Sequence, residues 1–317
     1  MKLHLHVMRK SYRLALVLLC LGGLLVTVTP AWAQNQAAPA EEKAAPAPAA
    51  EKPAEDKPTA SVGVDILSQY LWRGIALSRN SAVIQPSLTL GYKGFFVNVW
   101  GNFDTGEDNR FLFPTPGKRG AKWNETDFTF GYSRDLYTGT AIKAISANVG
   151  VIYYALDSTA NPQGDSLEIY WGLAADVNWF KLSATVNKEV LHYPGWWLTL
   201  GISRVFELPL KVQDNSNVNL ELGHNFIFLF SNDAAAYPDP GNANLNTAFS
   251  GPLAGQLYAT LNIPVHKYIT ISPKIGFWYA LGGKSTDLLS GNQNMTGLSW
   301  DGQHNHVYGG LNVTFAF

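Results

Sequence analysis

Cysteine is all but missing. Cys20 is the one such residue in 317, and it sits in an apolar stretch near the start. No disulfide framework and no thiolate metal site is available to the rest of the chain. Its neighbours Leu18, Leu19 and Leu21 lack the small residues that a lipoprotein signal places before its cysteine. Charge is scarce as well. Asp, Glu, Lys and Arg make up 15% of the sequence and the net charge is −1. With neither a basic stripe nor an acidic tail, no nucleic-acid partner is expected. After Gln34 there is no apolar run of the length a spanning helix needs, and mean hydropathy is only −0.04. No Gly-rich phosphate loop, nucleophile elbow or zinc pattern is present, so no cofactor or metal is expected.

What is abundant is aromatic: 13% of residues, including ten Trp and fourteen Tyr. High aromatic content with low charge and near-zero hydropathy fits a sheet with one apolar and one polar face, because the two cancel along each strand. The start reads as an export signal. Lys2, Arg9, Lys10 and Arg13 precede an apolar core from Leu14 to Val28, and Ala31-Trp32-Ala33 is a cleavage-type site. Residues 1–33 are therefore expected to be a signal peptide. Residues 34–60, rich in Ala, Pro, Glu and Lys, have too few large apolar side chains to fold and are expected to be a disordered linker. The folded unit is expected over 61–317.

From Ser61 the chain becomes twelve runs of period two. Val62, Val64, Ile66, Tyr70 and Trp72 share one face of the first run, against Asp65, Gln69 and Arg73. In the last, Val307, Leu311, Val313, Phe315 and Phe317 share a face and the sequence finishes on an aromatic residue. Alternation alone also suits a β-sandwich. Loop lengths favour a barrel. Short connections near Gly91–Gly94, Arg134–Gly139, Ala175–Asn178, Glu207–Leu210 and Pro264–Lys267 alternate with longer ones near Arg73–Ser81, Thr105–Lys122, Leu156–Asp165, Lys188–Pro194, Asn225–Gly251 and Gly282–Gln303. Sorting by parity is what tight periplasmic turns and extended outer loops produce. Tyr70, Trp72, Tyr92, Phe95, Phe103, Tyr132, Tyr153, Trp196 and Phe317 stand at run ends, which suits interfacial girdles. The fold expected is all-β: a transmembrane antiparallel up-and-down β-barrel of about twelve strands, preceded by the tether.

Ser68-x-Tyr70-x-x-Arg73-Gly74, the stretch Gly94 to Trp100, and Leu167-Glu168-Ile169-Tyr170 resemble the TorF-type porins, a proteobacterial family of conserved hypothetical outer-membrane barrels. The resemblance covers most of 61–317. It implies an outer-membrane location, and it carries no functional residues to transfer. An aromatic end such as Phe317 is common in outer-membrane barrels, where it serves as a signal to the barrel assembly machinery.

Parity turns Asp65, Arg73, Asp104, Glu125, Asp127, Glu168, Lys181, Glu189, Glu221 and Lys274 inward, seven carboxylates against three cations. A polar, acid-rich lumen suits a water-filled pore for small solutes with a weak cation preference. Bulky Phe96, Trp100, Tyr154, Trp179, Trp197, Tyr258 and Trp278 are expected to narrow it. Two other readings remain: a non-conducting structural or interaction barrel, and, more remotely, a lipid-modifying enzyme. For the last, His192, His224, His266, His304 and His306 are the candidate bases, and His304 and His306 are expected to face inward.

Overall fold

The computed structural model describes residues 57–79, 81–106, 123–156, 164–212, 216–242 and 246–317. The expected signal peptide and nearly all of the expected linker lie outside the described residues. Twelve strands form the wall: β1 (Thr59–Leu67), β2 (Val83–Tyr92), β3 (Phe95–Asp104), β4 (Trp123–Thr138), β5 (Ala144–Leu156), β6 (Ser166–Asp176), β7 (Lys181–Glu189), β8 (Gly195–Lys211), β9 (Asn217–Ser231), β10 (Ser250–His266), β11 (Ile269–Ala280) and β12 (His306–Ala316). Each pairs antiparallel with its neighbours, and β12 pairs with β1 to close the barrel. In that closing pair Val64 faces Val313 and Ile66 faces Leu311. Ala60 and Phe317 exchange backbone hydrogen bonds of 2.9 Å in both directions. The first wall strand thus begins at Thr59, slightly before the expected boundary. Both ends of the barrel lie on the short-turn side, as an even strand count requires.

Period two follows from the two environments. Leu88, Leu90, Val97, Phe128, Phe130 and Leu173 project outward and are exposed, Leu173 by 56%. Gln85, Asn102, Asp127 and Thr129, one residue out of phase, are buried inside. A continuous apolar exterior of this extent is not tolerated in water. Closure leaves no strand edge, which is what hydrocarbon demands. Aromatic side chains collect at the rims of this band. Phe95 lies 4.8 Å from Tyr132 on the turn side, and Trp196 stands near the start of β8 on the loop side, stacked at 6.4 Å on the mid-strand Trp171. Arginine at mid-band must therefore be costly: Val151→Arg is expected to lower folding stability by ~2–4 kcal/mol, measured by urea titration of the protein in lipid vesicles.

The tight turns differ from the expected ones in two places. Lys93 and Gly94, with φ of 51° and 85°, join β2 to β3, a pair of left-handed residues suited to a two-residue hairpin. By contrast β8 continues through Glu207–Leu210, where a turn was expected, and its register shifts between Glu207 and Lys211. Pro209 is accommodated by that irregularity, since a bulge does not need its missing N–H. Similarly, β4 runs to Thr138 through a shift between Asp135 and Tyr137, so the turn falls after it.

The largest departure is at the end of β1. Tyr70 and Trp72 were expected on the outer face of the first strand. Instead the wall strand stops at Leu67, and the chain turns inward. Leu71–Trp72 pairs with Ile75–Ala76 in a small hairpin whose tip is Arg73 and Gly74. Arg73 and Gly74 have φ of 50° and 87°, and a Cβ at Gly74 would meet the Ala254 side chain at 2.5 Å. Only glycine fits there. Leu77 donates to the Tyr70 carbonyl at 2.9 Å, and the Ser78 hydroxyl accepts from the Tyr70 N–H at 2.8 Å. The hairpin spanning 70–77 is thereby locked inside the barrel.

Around it lies the hydrophobic core. Leu67, Leu71, Ile75, Leu77, Trp197, Ile227, Leu229, Phe249, Leu253, Trp278, Leu288 and Leu289 form one buried cluster. Leu288 and Leu289 come from a short helix, α1 (Gly283–Ser290), in the loop between β11 and β12. Phe249 comes from the segment before β10. These two outer segments therefore fold down onto the inserted hairpin at this end of the barrel.

Candidate functional site

The interior divides along the barrel axis. On the turn side many inward residues are small, polar and partly exposed, among them Ser87, Thr89, Asn98, Asn148, Ser183 and Thr314, beside the larger Phe96 and Lys181. On the loop side the interior is dry except for a band of charged and amide side chains under the hairpin.

That band is organised by Arg73. Its guanidinium reaches across the barrel to Glu168 on β6 and donates two parallel hydrogen bonds of 2.7 Å, from Nη1 to Oε1 and from Nη2 to Oε2. The side chains are 2% and 1% exposed. The guanidinium carbon lies 4.4 Å from the Trp72 ring and 4.6 Å from that of Trp197, and the two indoles meet edge to face beside it at 5.0 Å. Glu168 also accepts from the Tyr154 hydroxyl at 3.0 Å and from Asn187 Nδ2 at 2.8 Å. Burial presses the Arg73 pKa down, but Glu168, Tyr154 and Tyr237 together outweigh it, so the group stays charged.

A second contact anchors the hairpin on the adjoining wall. The Tyr70 hydroxyl donates to Glu125 on β4. Burial pushes that hydroxyl well above its ordinary pKa, with Glu125 and Asp127 adding to the effect, so it remains a donor. Asp127 is fully buried two residues along from Glu125, and neither of its oxygens has a hydrogen-bond donor among the described residues. Gln85, Asn102 and Asn124 continue the band as an amide chain, with bonds of 3.0 and 2.7 Å.

The other residues expected to line the lumen are spread along the barrel. Asp65 on β1 pairs with Lys274 on β11 at 2.6 Å and accepts from Asn312 at 2.9 Å. Glu221 on β9 accepts from the Tyr258 hydroxyl at 3.3 Å. Asp104 closes the end of β3 and accepts from the Gly106 N–H at 2.8 Å. Glu189 accepts from Ser166 Oγ and from the backbone N–H groups of Leu191, His192 and Tyr193, and so caps the loop after β7. Lys181 opens β7 opposite Asp176, at the turn side. The assignment of Arg73 changes most: it is inside the barrel as expected, but at the tip of the inserted hairpin rather than on the wall.

Of the bulky residues expected to narrow the bore, Phe96, Trp100, Tyr154, Trp197, Tyr258 and Trp278 do point inward. Trp179 does not. It is 66% exposed, in the turn after β6, with the Arg204 guanidinium 5.0 Å from its ring. It belongs to the turn-side girdle, because the turn residues 177–180 lie beyond the last wall pair. The histidines are dispersed. His224 faces outward and bonds the Tyr279 hydroxyl at 2.7 Å. His306 is buried inside, with Nδ1 3.5 Å from Asp301, whereas His304 lies in the loop before β12 rather than on the inner face of the strand. Above the hairpin, a cavity of about 910 Å³ opens to the outside between Arg79, Asn292, Trp300, Asp301 and Gln303.

A family model described as "Bacterial protein of unknown function (Gcw_chp)" matches residues 51–248, well over half of the 317. The chain belongs to that family. Its description does not carry the TorF-type name. A bacterial family with a closed, apolar-banded barrel belongs in the outer membrane. No curated protein matches the chain. Among solved structures it is similar to the KdgM porin, at 9% identity and a TM-score of 0.43, covering 81% of this chain and 99% of that one. It is similar to the NanC porin, at 11% identity and a TM-score of 0.46, covering 81% and 98%. It also matches OprB of Pseudomonas putida, at 14% identity and a TM-score of 0.31, covering 77% and 61%. The barrel assignment rests on this chain's own closed strand order.

Proposed function

We propose that this chain is a porin-like channel of the Gram-negative outer membrane for passive diffusion of small hydrophilic solutes, shut in this conformation by the hairpin at 70–77. The observation that carries the reading is the division of the interior: a polar, partly exposed half on the turn side beneath a separately folded insert that fills the loop side. A wall lined with Ser, Thr and Asn gains nothing as packing, and a hollow of that chemistry suits hydrated solutes. The acid excess supports a weak cation preference once the insert withdraws. With Arg73 gone from the lumen, the wall carries Asp65, Asp104, Glu125, Asp127, Glu168, Glu189 and Glu221 against Lys181 and Lys274.

The alternative, a non-conducting structural barrel, is favoured by one observation: the hairpin and outer loops share a single dry core. Enzymatic function has the least support, since His224 is bonded to Tyr279 on the lipid face and no serine is placed beside it. We therefore propose that the chain is not an enzyme. Residues 1–33 are proposed to be removed on export and 34–58, up to the start of β1, to act as a spacer. Outer-membrane lipids and the barrel assembly machinery are the proposed partners.

Planar-bilayer recording separates the two main readings. The intact protein is expected to show rare or no steps. A variant with 69–81 replaced by a short Gly/Ser link is expected to conduct steadily, with a reversal potential on the cation-selective side. A folded, hairpin-less barrel that does not conduct would overturn the channel reading.

A further inference from the structure

Arg73 is a ligand that the chain supplies to itself. Its receptor is built by the wall: Tyr154 on β5, Glu168 on β6, Asn187 on β7 and Trp197 on β8, one side chain from each of four consecutive strands. Within the wall, Glu168 Oε2 is held by Tyr154 at 3.0 Å and Asn187 at 2.8 Å. Arg73 bonds both carboxylate oxygens from the barrel interior. Trp197 lies flank-on to that position at 4.6 Å. A fixed carboxylate beneath an indole face is specific for a planar cation with two parallel N–H groups, and a spherical ammonium satisfies it less well.

We infer that this wall site is the solute-recognition site of the barrel, that it takes guanidinium-bearing solutes, and that Arg73 occupies it in the closed state as an internal competitor. This rests on the channel reading proposed above and narrows it. The Arg73 hairpin leaves the wall intact when it withdraws, because Trp72 is the single cage residue that it takes along. A guanidinium solute arriving in the lumen then finds Glu168, Asn187, Tyr154 and Trp197 in place.

The test uses the full chain in lipid nanodiscs with Arg73→Ala, which empties the cage, and methylguanidinium as the probe. Urea, a neutral molecule of similar shape, and methylammonium are the comparators. Calorimetric titration of the variant is expected to give methylguanidinium binding at least about tenfold tighter than methylammonium, with none for urea. Adding Glu168→Gln is expected to weaken it by about ten- to a hundredfold. Binding that is no stronger than that of urea, or that survives Glu168→Gln, would reduce the cage to a structural ion pair and overturn the inference. If Arg73→Ala does not assemble, Arg73→Met keeps an apolar stem against the two indoles and serves the same titration. The two proposals fail separately. A hairpin-less barrel that conducts while neither Arg73 variant binds the probe sinks the site alone. Variants that bind while the hairpin-less barrel is silent sink the channel alone.

Discussion

Glu168→Ala is expected to unseat the hairpin. The substitution leaves the Arg73 guanidinium buried without its counter-ion and also removes the acceptor used by Tyr154 and Asn187. Breaking one side of a buried ion pair costs about 3–5 kcal/mol. The loss falls on the insert rather than on the wall, whose strand pairing does not pass through this carboxylate. Hydrogen exchange of the Leu77 amide, bonded to the Tyr70 carbonyl across the hairpin, reads it directly. A loss of that size accelerates exchange by roughly two to four orders of magnitude, while amides in the β9–β10 pair keep their protection. The double change Arg73→Met with Glu168→Leu is expected to recover most of the loss, since an apolar pair removes the stranded charge. Protection of Leu77 unchanged in Glu168→Ala would show that the hydrophobic contacts of Leu71, Ile75 and Leu77 hold the hairpin without the ion pair.

The second large effect is expected at Phe317. Its N–H and carbonyl both bond Ala60, and its ring packs edge-on against Tyr268 at 6.5 Å. Those contacts join the last strand to the first and to the turn before β11. Under the proposal that the assembly machinery reads this strand, removing Phe317 or appending four aspartates after it lowers the yield of assembled barrel severalfold. The same four residues inserted after Gly302, in an outer loop, leave the yield near that of the parent. Heat-modifiable gel migration of membrane fractions measures the difference. Equal yields for the two insertions would remove Phe317 from any special part in assembly.

Most of the wall could be read from the residues because outward and inward positions differ there in chemistry. Leu88 and Leu90 against Gln85 and Thr89 leave no ambiguity of face. The reading failed where both sides are dry. Phe226 to Phe230 continues β9, yet Ile227 and Leu229 are as apolar as Phe228, because they pack on the hairpin and outer loops. Alternation disappears and the stretch resembles a loop approach. At the end of β1 the opposite error arose. Tyr70 and Trp72 keep the parity of Val62 and Val64, so the run appears to continue past Leu67. The Arg73-Gly74 pair was the available signal, since glycine after a polar residue suits a two-residue turn. The acid excess of the lumen was legible, but the partner of each carboxylate was not. Glu168 meets Arg73 from 95 positions away, and no local pattern encodes a contact across a barrel.

The hairpin is tied at both ends to adjacent wall strands, to β1 at Leu67 and to β2 at Val83. It can swing but never be lost. Arg73 therefore confronts its receptor at an effective concentration set by a short leash, on the order of millimolar or above. A free solute competing for Glu168 has to approach that level before it holds the site half the time. The barrel would then answer to abundance outside the cell and ignore traces, and its threshold would shift with the length of the segment between Leu67 and Val83. Lengthening that segment with glycine and serine dilutes the internal ligand, so the leash itself is a dial on the sensitivity of the channel.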